Sequence, residues 1–221
     1  MNNVNHLPLE KYILIFLICL FIPFSVNATS VVMDMDSKRV LSGSSENETK
    51  LIASTTKILT AMVVINNTDI KNIVTVDENV LKSFGSGIYI EIGEKISVED
   101  LLYGLLLRSG NDAAIALACY VGGSMEGFSI LMNSLASSIG MTNSNFINAS
   151  GLENEKGDGN TSTAKDMAIL MSYAMQNDTF RRITSTKHHI VKTNYKTYDW
   201  YNKNKLLSMY KYTTGGKTGF T

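Results

Sequence analysis

The sequence predicts a mixed fold, an α/β (α+β) sandwich, and two observations lead to it. Strand-like segments lie towards both ends of the chain, at Ser30–Met35 and at Thr213–Phe220. Helical patterns fill the middle, between residues 54 and 175. This order indicates a sheet that remote segments complete, rather than a doubly wound parallel sheet.

The strands are predicted from β-branched and aromatic residues next to turn signals. Ser30–Met35 is rich in valine and methionine, and after a polar turn a return strand begins at Val40. Lys187–Lys192 and Thr197–Tyr201 predict a β-hairpin. Thr213–Phe220 predicts a strand that contains glycine.

The helices are predicted from apolar periodicity and capping residues. Ser54 opens a helical pattern that continues to Ile65. Ser97 is an expected N-cap, with Asp100 at the capping-box position and a helix through Leu107. The remaining helical patterns cover 112–121, 124–139 and 163–175.

Composition limits the possible functions. A chain of 221 residues can form one domain with a sizeable core. The chain has 20 Lys and Arg residues and 20 Asp and Glu residues, so its formal net charge is zero. It therefore has no excess of positive charge that would attract nucleic acid. Gly85-Ser86-Gly87 lacks the strand–turn–helix context of a dinucleotide site, and no Cys/His cluster predicts a metal. We therefore expect neither a cofactor nor a metal.

The first 28 residues have the pattern of a secretory signal peptide. Lys11 precedes an apolar run from Tyr12 to Phe24, and small residues surround Ala28. A membrane span is the alternative, but the run is shorter than the roughly 20 residues that a span needs. Cleavage after Ala28 would leave Cys119 as the one cysteine, so no internal disulfide is expected.

Ser54-Thr55-Thr56-Lys57 is the first of three motifs that suggest nucleophilic chemistry. A spacing of three places Ser54 and Lys57 on one helix face. A serine needs a base to become a nucleophile, and Lys57 could serve if burial or a nearby cation lowers its pKa. Lys217 is the candidate cation. Taken alone, the motif is better explained as an ordinary N-cap serine and a surface lysine, because serine caps are common.

The other two motifs are Ser109-Gly110-Asn111 and Lys217-Thr218-Gly219. Ser109 could relay a proton and Asn111 could hold a substrate amide, or the motif could be a helix end followed by a new cap. An edge strand with Lys217 and Thr218 could bind an extended peptide and its carboxylate. Alternatively, Lys217 could be a charged residue that prevents other strands from pairing with an exposed sheet edge. Because Gly219 has no side chain, it would let the backbone of a bound peptide approach this strand closely. A Ser-His-Asp triad is less favoured, because His188 and His189 are adjacent in a predicted strand and point to opposite faces.

In this order, the three motifs resemble the active site of penicillin-binding proteins and serine β-lactamases. The segments around them resemble the D-alanyl-D-alanine carboxypeptidases, the low-molecular-mass penicillin-binding proteins. The similarity also includes 145–148 with 151–152, 162–168, 204–207 and 215–221. The resemblance implies a β-lactamase/transpeptidase-like fold, in which a helical cluster flanks an antiparallel sheet.

The resemblance also implies roles for individual residues. Ser54 would attack the D-Ala-D-Ala carbonyl of a peptidoglycan stem peptide, with Lys57 as base and with Ser109 and Lys217 assisting proton transfer. Asn111 would bind the substrate amide, and Thr218 would bind the terminal carboxylate. The backbone N–H groups of Ser54 and Phe220 would hold the oxyanion. β-Lactams would acylate Ser54, and no protein partner is indicated.

The family further implies strands that follow the third motif, a β-rich domain and a membrane anchor. We therefore expect residues 29–221 to be an incomplete, C-terminally truncated catalytic domain that lacks the last strands of the sheet.

We expect export to the outer face of the cytoplasmic membrane or the cell wall. The alternatives are an inactive remnant that binds muropeptides or penicillin, and a serine β-lactamase, which Ser-Gly-Asn at 109–111 disfavours.

Overall fold

The computed structural model of this protein describes residues 28–219. The predicted signal peptide, apart from Ala28, and the proposed oxyanion donor Phe220 lie outside the described residues. The described part is a mixed α and β structure, which confirms the predicted fold class.

Helices make up the middle of the described chain. They are α1 (Lys57–Asn67), α2 (Val98–Leu107), α3 (Asn111–Gly122), α4 (Met125–Ser138), α5 (Ala164–Ala174), α6 (Asp178–Ser185) and α7 (Leu206–Met209). Two 3-10 helices are also present: Ala53–Thr56 directly precedes α1, and Glu78–Lys82 lies between α1 and α2.

The strands form four two-stranded antiparallel sheets among the described residues. In chain order the strands are β1 (Ser30–Met33), β2 (Val40–Ser44), β3 (Lys50–Leu51), β4 (Ile73–Thr75), β5 (Lys95–Ser97), β6 (Thr161–Ser162), β7 (His188–Lys192) and β8 (Thr197–Tyr201). The pairs are β1–β2, β3–β6, β4–β5 and β7–β8. The β3–β6 pair joins remote segments, with Lys50 opposite Ser162.

Helix α1 lies at the centre of the hydrophobic core. Every residue from Lys57 to Val64 is buried, and α1 packs against α2, α3, α4 and α5. A surface helix would have one apolar stripe and one polar face. Because α1 is enclosed, the residues at its start are fixed by packing on all sides.

Side-chain caps begin α2, α4 and α5 at the residues where the sequence predicts these helices to start. The Ser97 hydroxyl accepts a hydrogen bond from the Asp100 N–H at 3.0 Å. The Thr163 hydroxyl accepts one from the Asp166 N–H at 3.0 Å, and Ser124 caps α4 in the same way. These contacts satisfy N–H groups that lack a partner within the helix.

The segment Thr213–Gly219 is not a strand, which corrects the sequence-based expectation. Its backbone pairs with no described strand. Gly215 and Gly216 have φ values of +153° and +132°, a region that β-strands of L-residues do not use. The glycine pair therefore interrupts the regular extended geometry just before Lys217.

None of the helices within residues 28–219 is by itself long and apolar enough to cross a membrane. Helices α3 and α4 meet the length and composition test as a pair, with a bend of 84° between them.

Candidate active site

Ser54 lies in the short 3-10 helix that leads into α1, not in the first turn of the α-helix as the sequence predicted. Ala53 precedes it with a φ of +43°. The Thr55 hydroxyl donates to the Ile52 carbonyl at 2.5 Å, which stabilises this tight turn. The turn leaves Ser54 partly exposed, so a substrate can reach its hydroxyl.

The side chain of Lys57 is completely buried next to Ser54. Its amine Nζ lies 3.3 Å from Ser54 Oγ, 2.7 Å from Asn111 Oδ1 and 2.5 Å from the Ser150 carbonyl oxygen. Three acceptors match the three N–H bonds of an ammonium group. In the neutral amine, two N–H groups can remain on Asn111 and Ser150 while the lone pair accepts the proton of Ser54.

The surroundings of Lys57 favour the neutral amine. Burial, and secondarily the positive charge of Lys217, lower the pKa of Lys57 to about 7. Lys203 contributes in the same direction, whereas Asp112 opposes it. An amine with a pKa near neutrality has a large unprotonated fraction at physiological pH and is suited to act as a general base.

The second motif lies in the break between α2 and α3. Ser109 has a φ of +63°, a strained conformation for a residue with a side chain. Asn111 is the first residue of α3, and its amide joins Lys57 to the loop before β5, because Nδ2 donates to the Phe84 carbonyl at 2.6 Å. The structure therefore brings Asn111 into the site with Ser54 and Lys57.

Asp112 holds the loop around residue 88 against this motif. Its carboxylate accepts hydrogen bonds from the N–H groups of Ile88 at 3.0 Å, Tyr89 at 2.6 Å and Ala113 at 2.9 Å. Several N–H donors stabilise a buried carboxylate without a cationic partner. Asp112 is therefore a positioning residue that the sequence motifs did not identify.

The third motif reaches the same site from the far end of the described chain. A Cβ atom added to Gly219 would lie 3.0 Å from Thr55 Cγ2, so the backbone at Gly219 passes directly beside the turn that contains Ser54. Burial and then the charge of Lys203 lower the pKa of Lys217 to about 8. The Lys217 ammonium donates to the Thr218 carbonyl at 2.5 Å. All three motifs thus meet at one place.

Three further groups at this site were not predicted. Ser150 supplies a carbonyl to Lys57, and Lys203 lowers the pKa of both site lysines. Asn160 supports the turn that contains Ser54, because its Nδ2 donates to Thr56 Oγ1 at 2.9 Å. A backbone carbonyl 93 positions from Lys57 has no signature in the sequence, which explains why Ser150 was missed.

Gly151 is a position where two segments of the site approach each other closely. A Cβ atom there would lie 1.9 Å from the Ala53 carbonyl oxygen, and the φ of Gly151 is +82°. We expect Gly151→Ala to destabilise the protein by about 2–3 kcal/mol, since it adds a steric clash to a left-handed conformation. Urea unfolding measures this loss.

Gly140→Ala is the matched control for this substitution. Gly140 has a φ of +93°, and a Cβ atom there would meet nothing within 4 Å. It should therefore cost only the conformational strain, about 1 kcal/mol. Equal losses for the two variants would contradict the steric argument at Gly151.

Neither histidine of the β7–β8 hairpin takes part in this site. His188 Nε2 lies 2.6 Å from Asp199 Oδ1, and His189 Nε2 lies 2.9 Å from Asp100 Oδ1. Within residues 28–219 no group of three or more His, Cys, Asp or Glu side chains is arranged to hold a metal ion. The chemistry that the site offers is activation of a serine by a lysine.

Comparisons with known proteins agree with this geometry. A family model described as D-alanyl-D-alanine carboxypeptidase, Peptidase S11, matches residues 23–221. The D-alanyl-D-alanine carboxypeptidase DacF of Bacillus subtilis (strain 168) is 33% identical over 199 residues, which cover 87% of this chain and 50% of that protein. The chain thus spans about half the length of that relative. The carboxypeptidase DacB2 of Mycobacterium tuberculosis (strain ATCC 25618 / H37Rv) is 34% identical, with 90% of this chain and 68% of that protein covered.

Solved structures show the same fold. A crystal structure of a D-alanyl-D-alanine carboxypeptidase from Mycobacterium tuberculosis H37Rv superimposes with a TM-score of 0.83 at 33% identity, covering 87% of this chain and 72% of that one. The R248L mutant of the Streptomyces K15 DD-transpeptidase gives 0.81 at 33% identity, covering 87% and 80%. The three motifs, the fold and the family model all agree, and the chain belongs to the D-alanyl-D-alanine carboxypeptidase family, Peptidase S11.

Proposed function

We propose that this protein is a serine-type D-Ala-D-Ala carboxypeptidase that removes the terminal D-alanine from peptidoglycan stem peptides. The observation that carries the proposal is the buried Lys57 amine 3.3 Å from Ser54 Oγ, with its pKa lowered to about 7. Family membership supports the same activity.

The proposed reaction passes through an acyl-enzyme on Ser54. The neutral amine of Lys57 accepts the Ser54 proton as Oγ bonds to the carbonyl carbon of the penultimate D-alanine. The peptide C–N bond then breaks, and the departing D-alanine takes up a proton, with Ser109 assisting the transfer. Water hydrolyses the ester in the second half of the reaction and regenerates Ser54.

The other motif residues are proposed to bind the substrate. Asn111 would contact the substrate amide, while Lys217 and Thr218 would contact the terminal carboxylate. Gly219 would allow the peptide backbone to lie close to the site. The backbone N–H of Ser54 would hold the oxyanion, with that of Phe220 as the second donor.

Covalent labelling with a fluorescent penicillin tests the proposal. The wild-type protein should become labelled and Ser54→Ala should not, because β-lactams would acylate the same hydroxyl that attacks the peptide. Release of D-alanine from an N-acetylated peptide ending in D-Ala-D-Ala then measures the proposed activity. Absence of both label and D-alanine release would overturn the proposal and favour an inactive remnant. Rapid loss of the label would favour a β-lactamase.

We also propose that the protein acts outside the cytoplasmic membrane, in contact with the cell wall. The signal-peptide pattern before Thr29 supports this location. Amino-terminal sequencing of protein recovered from the cell envelope should begin at Thr29. Recovery of the full-length chain in the cytoplasmic fraction would contradict export.

A further inference from the structure

The carbonyl that accepts a hydrogen bond from Lys57 belongs to the peptide group between Ser150 and Gly151, and a side chain holds the opposite edge of this group. The Gly151 N–H donates to Asn148 Oδ1 at 2.7 Å, while the Ser150 carbonyl oxygen accepts from Lys57 Nζ at 2.5 Å. In a planar trans peptide group, the C=O and N–H bonds point in opposite directions. Asn148 therefore sets the direction in which the Ser150 carbonyl points.

The backbone of this turn needs such support. Gly151 has a φ of +82°, and glycine can adopt many other φ values at little cost. Asn148 restricts the turn with both ends of its amide. Its Oδ1 also accepts from the Ser150 N–H at 3.1 Å, and its Nδ2 donates to the Leu152 carbonyl at 2.8 Å. Because asparagine stabilises turns through bonds of this kind, the orientation of the peptide group depends on the Asn148 side chain.

A second asparagine ties Asn148 to the segment that carries the base. Asn160 is 1% exposed, and its Nδ2 donates to the Asn148 carbonyl at 2.8 Å and to Thr56 Oγ1 at 2.9 Å. Its Oδ1 accepts from the N–H groups of Asn148 at 3.1 Å and Ile147 at 2.7 Å. The amide of Asn160 thus uses its full capacity of two donors and two acceptor sites. Because Thr56 directly precedes Lys57, these bonds fix the base relative to its acceptor.

From these contacts, we propose that Asn148 is a positioning residue for the catalytic base. It orients the Ser150 carbonyl, which in turn holds the Lys57 amine in place. With one N–H of the neutral amine on this carbonyl, the lone pair can face the Ser54 hydroxyl. Asn160 keeps Asn148 aligned with the base. This inference rests on the proposed function, in which Lys57 accepts the proton of Ser54.

Asn148→Ala removes the acceptor of the Gly151 N–H and tests this role. The second-order rate of labelling by a fluorescent penicillin is measured as a function of pH. The maximal rate should fall about tenfold, because small displacements of a catalytic group cost up to about 10²-fold in rate. The acid limb of the profile should move to lower pH. The hydrogen bond to the Ser150 carbonyl favours the charged form of Lys57, and this bond is weakened in the variant.

The movement of the acid limb separates a positioning role from a purely structural one. The charged groups that act on Lys57 are Lys217, Lys203 and Asp112, and Asn148→Ala leaves all three unchanged. A loss of stability alone would reduce the amount of folded protein that becomes labelled, without changing the midpoint of the limb. Thermal unfolding shows whether the variant is folded.

Two further variants complete the test. Asn148→Asp keeps an oxygen that can accept from the Gly151 N–H, so it should recover most of the maximal rate. Its added negative charge should move the acid limb to higher pH. Asn154→Ala is the matched control, because Asn154 closes a later turn of the same loop. Its Oδ1 accepts from the N–H groups of Lys156 and Asp158, both at 2.9 Å, and the variant should retain the wild-type rate and profile.

The outcomes distinguish this inference from the proposed function. A folded Asn148→Ala protein with the wild-type rate, or with a lower rate and an unmoved acid limb, would overturn the positioning role. If Asn148→Ala does not fold, Asn148→Asp decides the question, and a folded Asn148→Asp protein that labels slowly at every pH would overturn the role. A wild-type protein that does not label would instead overturn the proposed function, and this inference with it.

Discussion

Lys57→Met is expected to slow acylation of Ser54 by penicillin about a hundredfold or more at pH 7.5. Methionine fills most of the space of the buried side chain but has no amine to accept the proton of Ser54. General-base catalysis typically contributes about 10²–10⁴ in rate. The second-order rate of labelling by a fluorescent penicillin measures the change directly.

Loss of the lysine has a structural consequence that must be separated from the chemical one. Asn111 Oδ1 and the Ser150 carbonyl lose the hydrogen bonds that they accept from Lys57, and an unsatisfied buried acceptor costs about 1–3 kcal/mol. Relief from burying an amine offsets part of this cost. Thermal unfolding of the variant therefore shows whether the fold persists.

Lys71→Met is the matched control, because Lys71 is an exposed lysine outside the site. It should label at the wild-type rate. A folded Lys57→Met protein that also labels at the wild-type rate would contradict the role of Lys57 as base, and would require another group to accept the Ser54 proton.

Local sequence signals predicted those parts of the fold that local interactions determine. The Ser97–Asp100 capping box uses residues three positions apart, and it marked the start of α2 correctly. The β7–β8 hairpin also followed from its own residues. By contrast, β4 and β5 have three residues each, too few to show an alternating pattern. The amphipathic helix α6 was missed, although Asn177 caps it by accepting from the Phe180 N–H.

The candidate site was predictable in its residue types and in the effect of Lys217 on the pKa of Lys57, but not in the extent of burial or in the contribution of Lys203. The motifs identified Ser54, Lys57 and Asn111, which the structure joins by hydrogen bonds. The burial that lowers the pKa of Lys57 depends on how α1 packs among the other helices. The contribution of Lys203 depends on a segment that lies 146 positions further along the chain. Distances of this kind arise only when the chain folds.

The pH dependence of acylation is expected to have a maximum between about pH 7 and 8. Lys57, with a pKa of about 7, must lose its proton to act as base, so the rate should fall about tenfold per pH unit well below 7. Lys217, with a pKa of about 8, must keep its proton to bind a carboxylate, so the rate should also fall above 8. Because the two amines interact, the midpoints belong to the pair.

Two substitutions of Lys217 separate the limbs of this profile. Lys217→Arg keeps its charge above pH 12, so the alkaline limb should disappear from the accessible range while the acid limb stays near 7. Lys217→Met removes a positive charge that lowers the pKa of Lys57, so the acid limb should move to higher pH. The movement should be partial, because burial is the larger cause of the lowered pKa. An alkaline limb that persists in Lys217→Arg, or an acid limb that stays in place in Lys217→Met, would mean that Lys217 does not act on the base through its charge.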